Sequence, residues 1–280
     1  MNNKGNRGWG RWFAVGPSLL KGNWRTLAAV AAVGAGAIAA GRWSWEKWGR
    51  PATQGTEYRI TADRIEVPPQ PVWIQADVKA DVLRDSRLGE LDLLDPQLAE
   101  KVYRAFALHN WVGRVRDVKK IYPGRIVVDL EYRKPIAMVE VDVSHGPGLL
   151  FIDDKAVLLP SDDFALRHTQ QFVRIYVPKT SPAGPYGTPW GDDRVTGAAE
   201  IAVALSELRE TIGLKRISAE EVPGGRVMYD LELSSGKKIR WGAVPGKEEE
   251  SEPVSMVKIT RLREAAKNEK LDEVLLDRRS

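Results

Sequence analysis

The chain contains no cysteine among its 280 residues, which excludes disulfide bonds and thiolate metal sites. It has only three histidines, His109, His145 and His168, and their separations of 36 and 23 residues match no metal-binding motif. No G-x-S-x-G motif and no Walker-type phosphate loop occurs. These absences predict a protein that is not an enzyme, with no catalytic residues, no metal, no cofactor and no small-molecule substrate.

Charge is missing from one N-terminal stretch, where sixteen Ala- and Gly-rich residues lie between Arg25 and Arg42. As a helix these residues would span roughly 24 Å, and a helix from Trp24 to Trp45 would span about 33 Å, against roughly 30 Å for a bilayer core. Tryptophans at both ends suit the two membrane interfaces. The pattern predicts a single transmembrane helix over residues 26–45, with Trp24, Arg25, Arg42, Trp43 and Trp45 as anchoring side chains.

The basic residues before this stretch predict its orientation. Residues 1–25 contain five basic residues and no acid, so the positive-inside rule assigns them to the cytoplasm and the long C-terminal part to the outside. A cleaved signal peptide is the alternative, because small residues such as Ala35-Gly36-Ala37 suit signal peptidase. The long basic leader, and the arginine and tryptophans after the apolar run, favour a retained anchor.

The positive net charge of +4 belongs to the N-terminal region. Residues 1–50 hold eight basic residues and one acid, which leaves 34 basic and 37 acidic residues for positions 51–280. A mildly acidic domain argues against nucleic acid as a partner, because nucleic-acid binding relies on clustered Lys and Arg. About 230 residues are enough for two small domains, each with its own core.

The first of these domains has a readable order of elements. Ile60, Ile65 and Val67 predict a strand that stops at Pro68-Pro69, and the four-residue spacing of Ile74, Val78 and Val82 predicts a short helix. Asp95-Pro96 is typical of a helix start, and two strands follow on either side of Tyr122-Pro123-Gly124. The predicted order is strand, helix, helix, strand, strand.

The second domain is predicted to be richer in strands. Two segments flanking Asp153-Asp154-Lys155 predict a hairpin, and a metal or catalytic role for the two aspartates is the weaker alternative. A Pro- and Gly-rich loop, 178–191, leads into a helix that ends at Gly213. Alternating apolar residues then predict a hairpin over 227–241.

Two further features allow a structural and a functional interpretation. Trp111 and Trp241 are predicted to pack inside the protein, with a role as binding anchors as the alternative. The acidic run Lys247–Glu252 is predicted to be a solvated linker, with a docking site as the alternative. A helix over 257–268 and a short strand over 271–279 complete the chain.

In this order and spacing, several motifs resemble the bacterial cell-division family FtsQ, also called DivIB. The motifs are Ile65-Glu66-Val67, Asp95-Pro96, Trp111-Val112, Tyr122-Pro123, Glu131-Tyr132-Arg133-Lys134-Pro135-Ile136-Ala137 and Leu276-Asp277-Arg278. The resemblance implies an α+β fold with a single N-terminal transmembrane helix, a POTRA-like βααββ domain, and a mixed β-rich domain with one or two helices. The implied segments are a cytoplasmic segment (1–25), the transmembrane helix (26–45), a linker (46–57), the POTRA-like domain (58–141) and the β domain with a C-terminal helix and short final strand (142–280).

The resemblance also implies a function. Proteins of this family are non-enzymatic, bitopic scaffolds of the inner membrane that recruit small single-pass partners, FtsB- and FtsL-like, to the division septum. Pairing of a partner strand with an edge strand implies that Leu275, Leu276, Asp277, Arg278 and Trp241 contact the partner. A membrane-tethered POTRA-type module for envelope protein assembly or secretion is the alternative, since POTRA modules occur in such proteins too.

Overall fold

The computed structural model describes residues 24–49, 59–86, 91–122, 124–143, 146–161, 171–268, 270–271 and 276. The chain divides into two compact units, Met1–Tyr58 and Arg59–Ser280. Across the described ranges there are six α-helices and eleven β-strands.

The first unit contains helix α1, Trp24–Ser44, followed by a π-helical turn, Trp45–Gly49. The prediction of a transmembrane helix here is wrong, because none of the helices in the described residues is both long and apolar enough to cross a bilayer. Composition explains this. Eleven of the sixteen residues 26–41 are Ala or Gly, which offer little apolar surface, and the run lies between two arginines, Arg25 and Arg42.

The predicted anchor side chains are exposed on α1 and the turn after it. Arg25, Arg42, Trp43 and Trp45 all face solvent, and the side chain of Trp24 lies outside the described residues. The Nζ of Lys47 lies 4.8 Å from the centroid of the Trp43 ring, a cation–π distance.

The second unit begins with a three-stranded sheet and two helices. Strand β2 (Ile65–Glu66) pairs in parallel with β5 (Arg125–Tyr132), which pairs antiparallel with β4 (Val112–Ile121). Helices α2 (Val78–Asp85) and α3 (Leu98–Ala107) lie between β2 and β4 in the chain, so these elements follow the predicted order. A separate ladder joins the two-residue strands β1 (Arg59–Ile60) and β3 (Leu91–Asp92). The single strand predicted from Ile60 to Val67 is therefore divided between β1 and β2, with a 3-10 turn at Ala62–Arg64 between them.

The rest of the unit is a six-stranded mixed sheet with three helices. Its strands are β6 (Ala137–Val143), β7 (Gly146–Ile152), β8 (Val173–Tyr176), β9 (Leu214–Val222), β10 (Arg226–Leu233) and β11 (Lys238–Gly242), in the order β11-β10-β9-β8-β6-β7. Strand β8 is parallel to both neighbours, and the other pairs are antiparallel. The helices are α4 (Asp193–Ala204), α5 (Arg209–Ile212) and α6 (Ser255–Lys267).

The buried apolar side chains form two clusters, which share the β6–β7 hairpin. The larger core contains Val139 together with side chains of α4 and α6, and the smaller core contains Met138 and Phe151 together with side chains of α3 and β5. Successive residues of a strand point to opposite faces, so one hairpin can contribute to both cores. The domain boundary expected after residue 141 falls within β6.

A buried ion pair lies where the chain passes from β5 into this hairpin. Arg133 Nη1 lies 2.6 Å from Asp153 Oδ2, and only 2% of the Asp153 side chain is exposed. Asp153 Oδ1 also accepts backbone N–H bonds from Lys155 and Val157. Trp73 Nε1 donates to the carbonyl of Arg133 at 3.1 Å. The ion pair and the two backbone hydrogen bonds satisfy the buried carboxylate of Asp153. This residue therefore has a structural role in the turn and at the junction of the two cores.

Two predicted elements differ from those observed. The helix expected to run to Ile212 ends at Ala204, and tight i→i−3 turns at Ser206 and Leu208 connect it to the short α5. The predicted end at Gly213 is correct, since this glycine adopts a left-handed conformation with φ of 67°. The strand expected over 156–159 is reduced to isolated bridges that follow Ala156, whose φ is 54°.

The start of α4 is held by Asp192. Its carboxylate accepts the backbone N–H of Arg194 at 2.9 Å, the Arg194 Nη2 at 2.8 Å and the Thr180 hydroxyl at 3.0 Å. The hydrogen-bonded guanidinium of Arg194 lowers the pKa of Asp192 below its usual value, against the opposing effect of burial. Asp192 is therefore both a helix cap and a charge stabilised in the folded state.

We expect Asp192→Ala to lower the free energy of unfolding by about 1–2 kcal/mol at neutral pH, since it removes the cap and the ion pair. Asp192→Asn, which keeps a capping oxygen, should cost less. Because folding lowers the pKa of Asp192, the charge stabilises the protein above about pH 4, the usual aspartate pKa, and this stabilisation is lost as the pH falls through the lowered value. Urea unfolding from pH 2 to 7 measures this. A constant difference between wild type and Asp192→Asn over that range would contradict the assignment.

Candidate functional site

The six-stranded sheet has two edges that differ in cover. At one edge, Leu159 donates its backbone N–H to the carbonyl of Phe151 in β7, and Leu158 forms a bridge with Ile152. At the other edge, β11 pairs with β10 only. Within the described part of the chain, no backbone group bonds to the outer side of β11. The edge of β11 is the candidate functional site.

The side chains of β11 divide into a buried and an exposed set. Ile239 and Trp241 point into the larger core. Lys238 is exposed, and Arg240 Nε lies 2.5 Å from Asp230 Oδ1 of β10. The apolar side chains hold the strand on the protein, and its outer backbone groups remain to pair with an extended segment.

A buried ion pair fixes the end of β11 to α6. Lys258 is fully buried and pairs with Glu252, which is 5% exposed. The Nζ of Lys258 also lies 4.9 Å from the centroid of the Trp241 ring. A lysine side chain that is shielded from solvent needs such partners, because an isolated buried charge is strongly destabilising. We call Trp241, Glu252 and Lys258 the β11 lock.

Gly242 makes the close approach within the lock possible. Its φ is 95°, and a Cβ at this position would collide with the Glu252 carboxylate. The same carboxylate oxygen accepts the backbone N–H of Ala243 at 2.8 Å. Any other residue at position 242 would need a strained backbone and would displace Glu252.

The residues predicted to contact a partner occupy different places. Trp241 is fully buried, in agreement with the packing interpretation, as is Trp111. Leu276 is fully buried and belongs to the larger core. Leu275, Asp277 and Arg278 lie outside the described residues. Because the side chain of Trp241 packs on Lys258 inside the protein, a partner strand at this position would contact the backbone of β11.

Glu252 and Lys258 were not predicted as site residues. The prediction that the whole run Lys247–Glu252 is solvated is wrong for Glu252, because tertiary packing buries its carboxylate. Lys258 is on the same helix face as Leu262 and Ala265, at helical spacings of four and seven residues. A lysine in that apolar pattern was the available signal for a buried charge.

The three-stranded sheet has an open edge as well, at β4. This ten-residue strand pairs only with β5, and its register shifts after Val112 and again after Val115. Its exposed side chains are mostly basic: Arg114, Arg116, Lys119 and Lys120. Bulges and lysines at an edge are devices that discourage strand pairing. Strand β4 has two register shifts and four exposed basic side chains, whereas β11 has one register shift, one exposed lysine and an arginine paired with Asp230, so β11 is the stronger candidate for pairing.

Metal-ligand clusters are not found among the residues that the structure describes, since no group of three or more His, Asp or Glu side chains could hold an ion. His109 lies in the turn before β4. Its Nδ1 accepts the backbone N–H of Trp111 at 3.2 Å. His145 and His168 lie outside the described residues.

We expect Lys258→Met to lower the free energy of unfolding by about 3–5 kcal/mol, because it leaves the Glu252 carboxylate buried without its cation. The double variant Glu252→Gln/Lys258→Met should lose less, since glutamine keeps an acceptor for Ala243 and no charge remains. Urea unfolding of the single and double variants measures this. A double variant less stable than Lys258→Met would contradict a buried ion pair at this site.

Comparison with known proteins adds no assignment to this geometry. No protein-family model matches the chain, and no curated protein matches it. The function has to be argued from the residues and from the fold.

Proposed function

We propose that this chain is a non-enzymatic scaffold that recruits partner proteins by strand pairing at β11. The observation that carries the proposal is that the edge of the six-stranded sheet at β11 is open among the described residues and is held in position by the β11 lock. An open edge offers unpaired backbone donors and acceptors to any extended segment. Because Trp241 and Lys258 fix the strand before binding, a partner would lose little affinity to ordering of the edge.

The cellular role that we propose is recruitment within the cell-division machinery, as the resemblance to FtsQ implies. The partners would then be single-pass membrane proteins of the FtsB and FtsL kind at the septum. One element of the resemblance has a physical role in this chain: Arg133, within Glu131–Ala137, pairs with Asp153 where the two cores meet. This contact gives one residue of the motif a structural role at the junction of the two cores.

The second candidate function is an envelope assembly or secretion module, in which the POTRA-like part receives unfolded chains. The long open edge of β4 favours this candidate. Its bulges and basic side chains count against β4 as the primary pairing edge. Both candidates predict strand pairing, but at different sheets.

A photo-crosslinking residue placed at Lys238 in cells distinguishes the two candidates. Lys238 is exposed on β11, and Lys119, exposed on β4, provides the matched control. We expect adducts with division proteins from position 238 and few from position 119, measured by mass spectrometry of the purified adducts. Adducts with outer-membrane assembly proteins from position 119 alone would favour the second candidate.

Depletion of the protein tests the division role itself. We expect filamentous or undivided cells, and a fluorescently tagged copy at the division site, because a recruiting scaffold acts where its partners assemble. Cell length and the position of the tag are measured by microscopy. Normal division on depletion, together with a tag distributed evenly over the envelope, would argue against this role.

A further inference from the structure

A basic cavity lies at one end of the six-stranded sheet, at the start of β8 and β9 and the end of β10. Its volume is about 430 Å³. Three cationic side chains line it: Arg174 of β8, Arg209 of α5 and Lys215 of β9. Among the described residues of its lining, Glu210 is the one carboxylate, which gives these side chains a net charge of +2. We call this the β8–β9 pocket.

The cations of this pocket lack the partners that other cations on the same sheet possess. Arg216 bonds to both oxygens of Glu140, at 2.8 and 2.9 Å, and Arg240 pairs with Asp230. In the described part of the chain, the side chains of Arg174 and Lys215 make no ion pair or hydrogen bond. Arg209 pairs only with the neighbouring Glu210, whose side chain is 87% exposed.

The register of the sheet makes this arrangement unfavourable for stability alone. Arg174 lies directly across from Arg216 in the parallel β8–β9 pair. Like charges in directly opposed positions repel one another. Glu140 compensates Arg216, whereas none of the described carboxylates pairs with Arg174 beside the cavity. An anion in the cavity would remove that repulsion.

Gly213 and Ser234, which both line the pocket, are in close contact. Gly213 ends α5 with a φ of 67°, and its carbonyl accepts the backbone N–H of Ser234 at 2.7 Å. A Cβ at Gly213 would collide with the hydroxyl of Ser234. The close approach holds that hydroxyl, a further hydrogen-bond donor, in the pocket lining.

We propose that the β8–β9 pocket binds an oxyanion, a phosphate or a carboxylate group, between Arg174, Arg209 and Lys215. Guanidinium groups match the geometry of both anions, and the lysine adds a mobile point charge. The net charge of +2 suits a phosphate dianion or a pair of carboxylates. This site is separate from the strand-pairing function, since none of its lining residues belongs to β11.

Titration of the full chain with inorganic phosphate, and separately with succinate, tests the proposal. We expect saturable binding of at least one anion, measured by calorimetry, with NMR shifts at the amides of Gly213, Lys215 and Ser234. Arg174→Ala/Lys215→Ala should weaken binding by about tenfold or more, the loss expected for charge-assisted hydrogen bonds. Selective binding identifies the group: phosphate alone indicates a phosphate ligand, and succinate alone indicates a carboxylate ligand.

Arg240→Ala/Lys238→Ala is the matched control, because it removes the same two residue types from the same sheet outside the pocket. It should retain wild-type affinity. Thermal unfolding of both variants checks that they are folded. Equal loss of affinity in the two variants would indicate unspecific attraction, and the proposal would fall. It would also fall if neither anion binds the wild-type protein.

Discussion

The two faces of the β6–β7 hairpin carry apolar side chains toward two different cores, and the architecture of residues 59–280 depends on this arrangement. Val139 packs in the larger core, and Met138 and Phe151 pack in the smaller one. A hairpin buried on both faces cannot leave either core without exposing apolar surface. The Arg133–Asp153 pair lies at the same junction and is itself buried, so its charges are stable only while both parts are in place.

The junction has a consequence for the opposite end of the sheet. Because β7 contacts the segment 157–159, that edge is covered, and β11 is left as the edge without a described partner. Open edges of sheets are prone to unspecific association. Here the strand is short, and Trp241, Glu252 and Lys258 hold its end against α6. A short, fixed edge suits one defined partner strand better than aggregation.

The charged side chains of the six-stranded sheet form a related pattern. Most are neutralised across strands, as in the pairs formed by Arg216 with Glu140 and Arg240 with Asp230. Arg174 is an exception that the register forces next to another arginine. Structural charges tend to be paired and functional charges are often left available, and this contrast separates the β8–β9 pocket from the rest of the sheet.

Local patterns in the sequence were sufficient for the elements that have one buried face. The apolar spacing of α3, the alternation of β10 and β11 and the glycine at the end of α5 all lead to structures that the chain adopts. Strands β6, β8 and β9 were not predicted from the sequence. Each lies between two neighbouring strands, and the parallel pairs β6–β8 and β8–β9 join residues that are far apart in the chain. The N-terminal apolar run suggested a bilayer span, yet its alanines and glycines provide too little apolar character.

The sequence by itself determined the absence of cysteine chemistry, the concentration of positive charge before residue 51 and the order of β2, α2, α3, β4 and β5, without the short strand β3. These depend on composition or on neighbours in the chain. Only the tertiary structure decided that Glu252 and Lys258 are buried together, that Arg133 meets Asp153, and that β11 pairs on one side only within the described part of the chain. Those outcomes depend on which distant segments pack together, and packing sets the burial that turns an ordinary charge into a structural one.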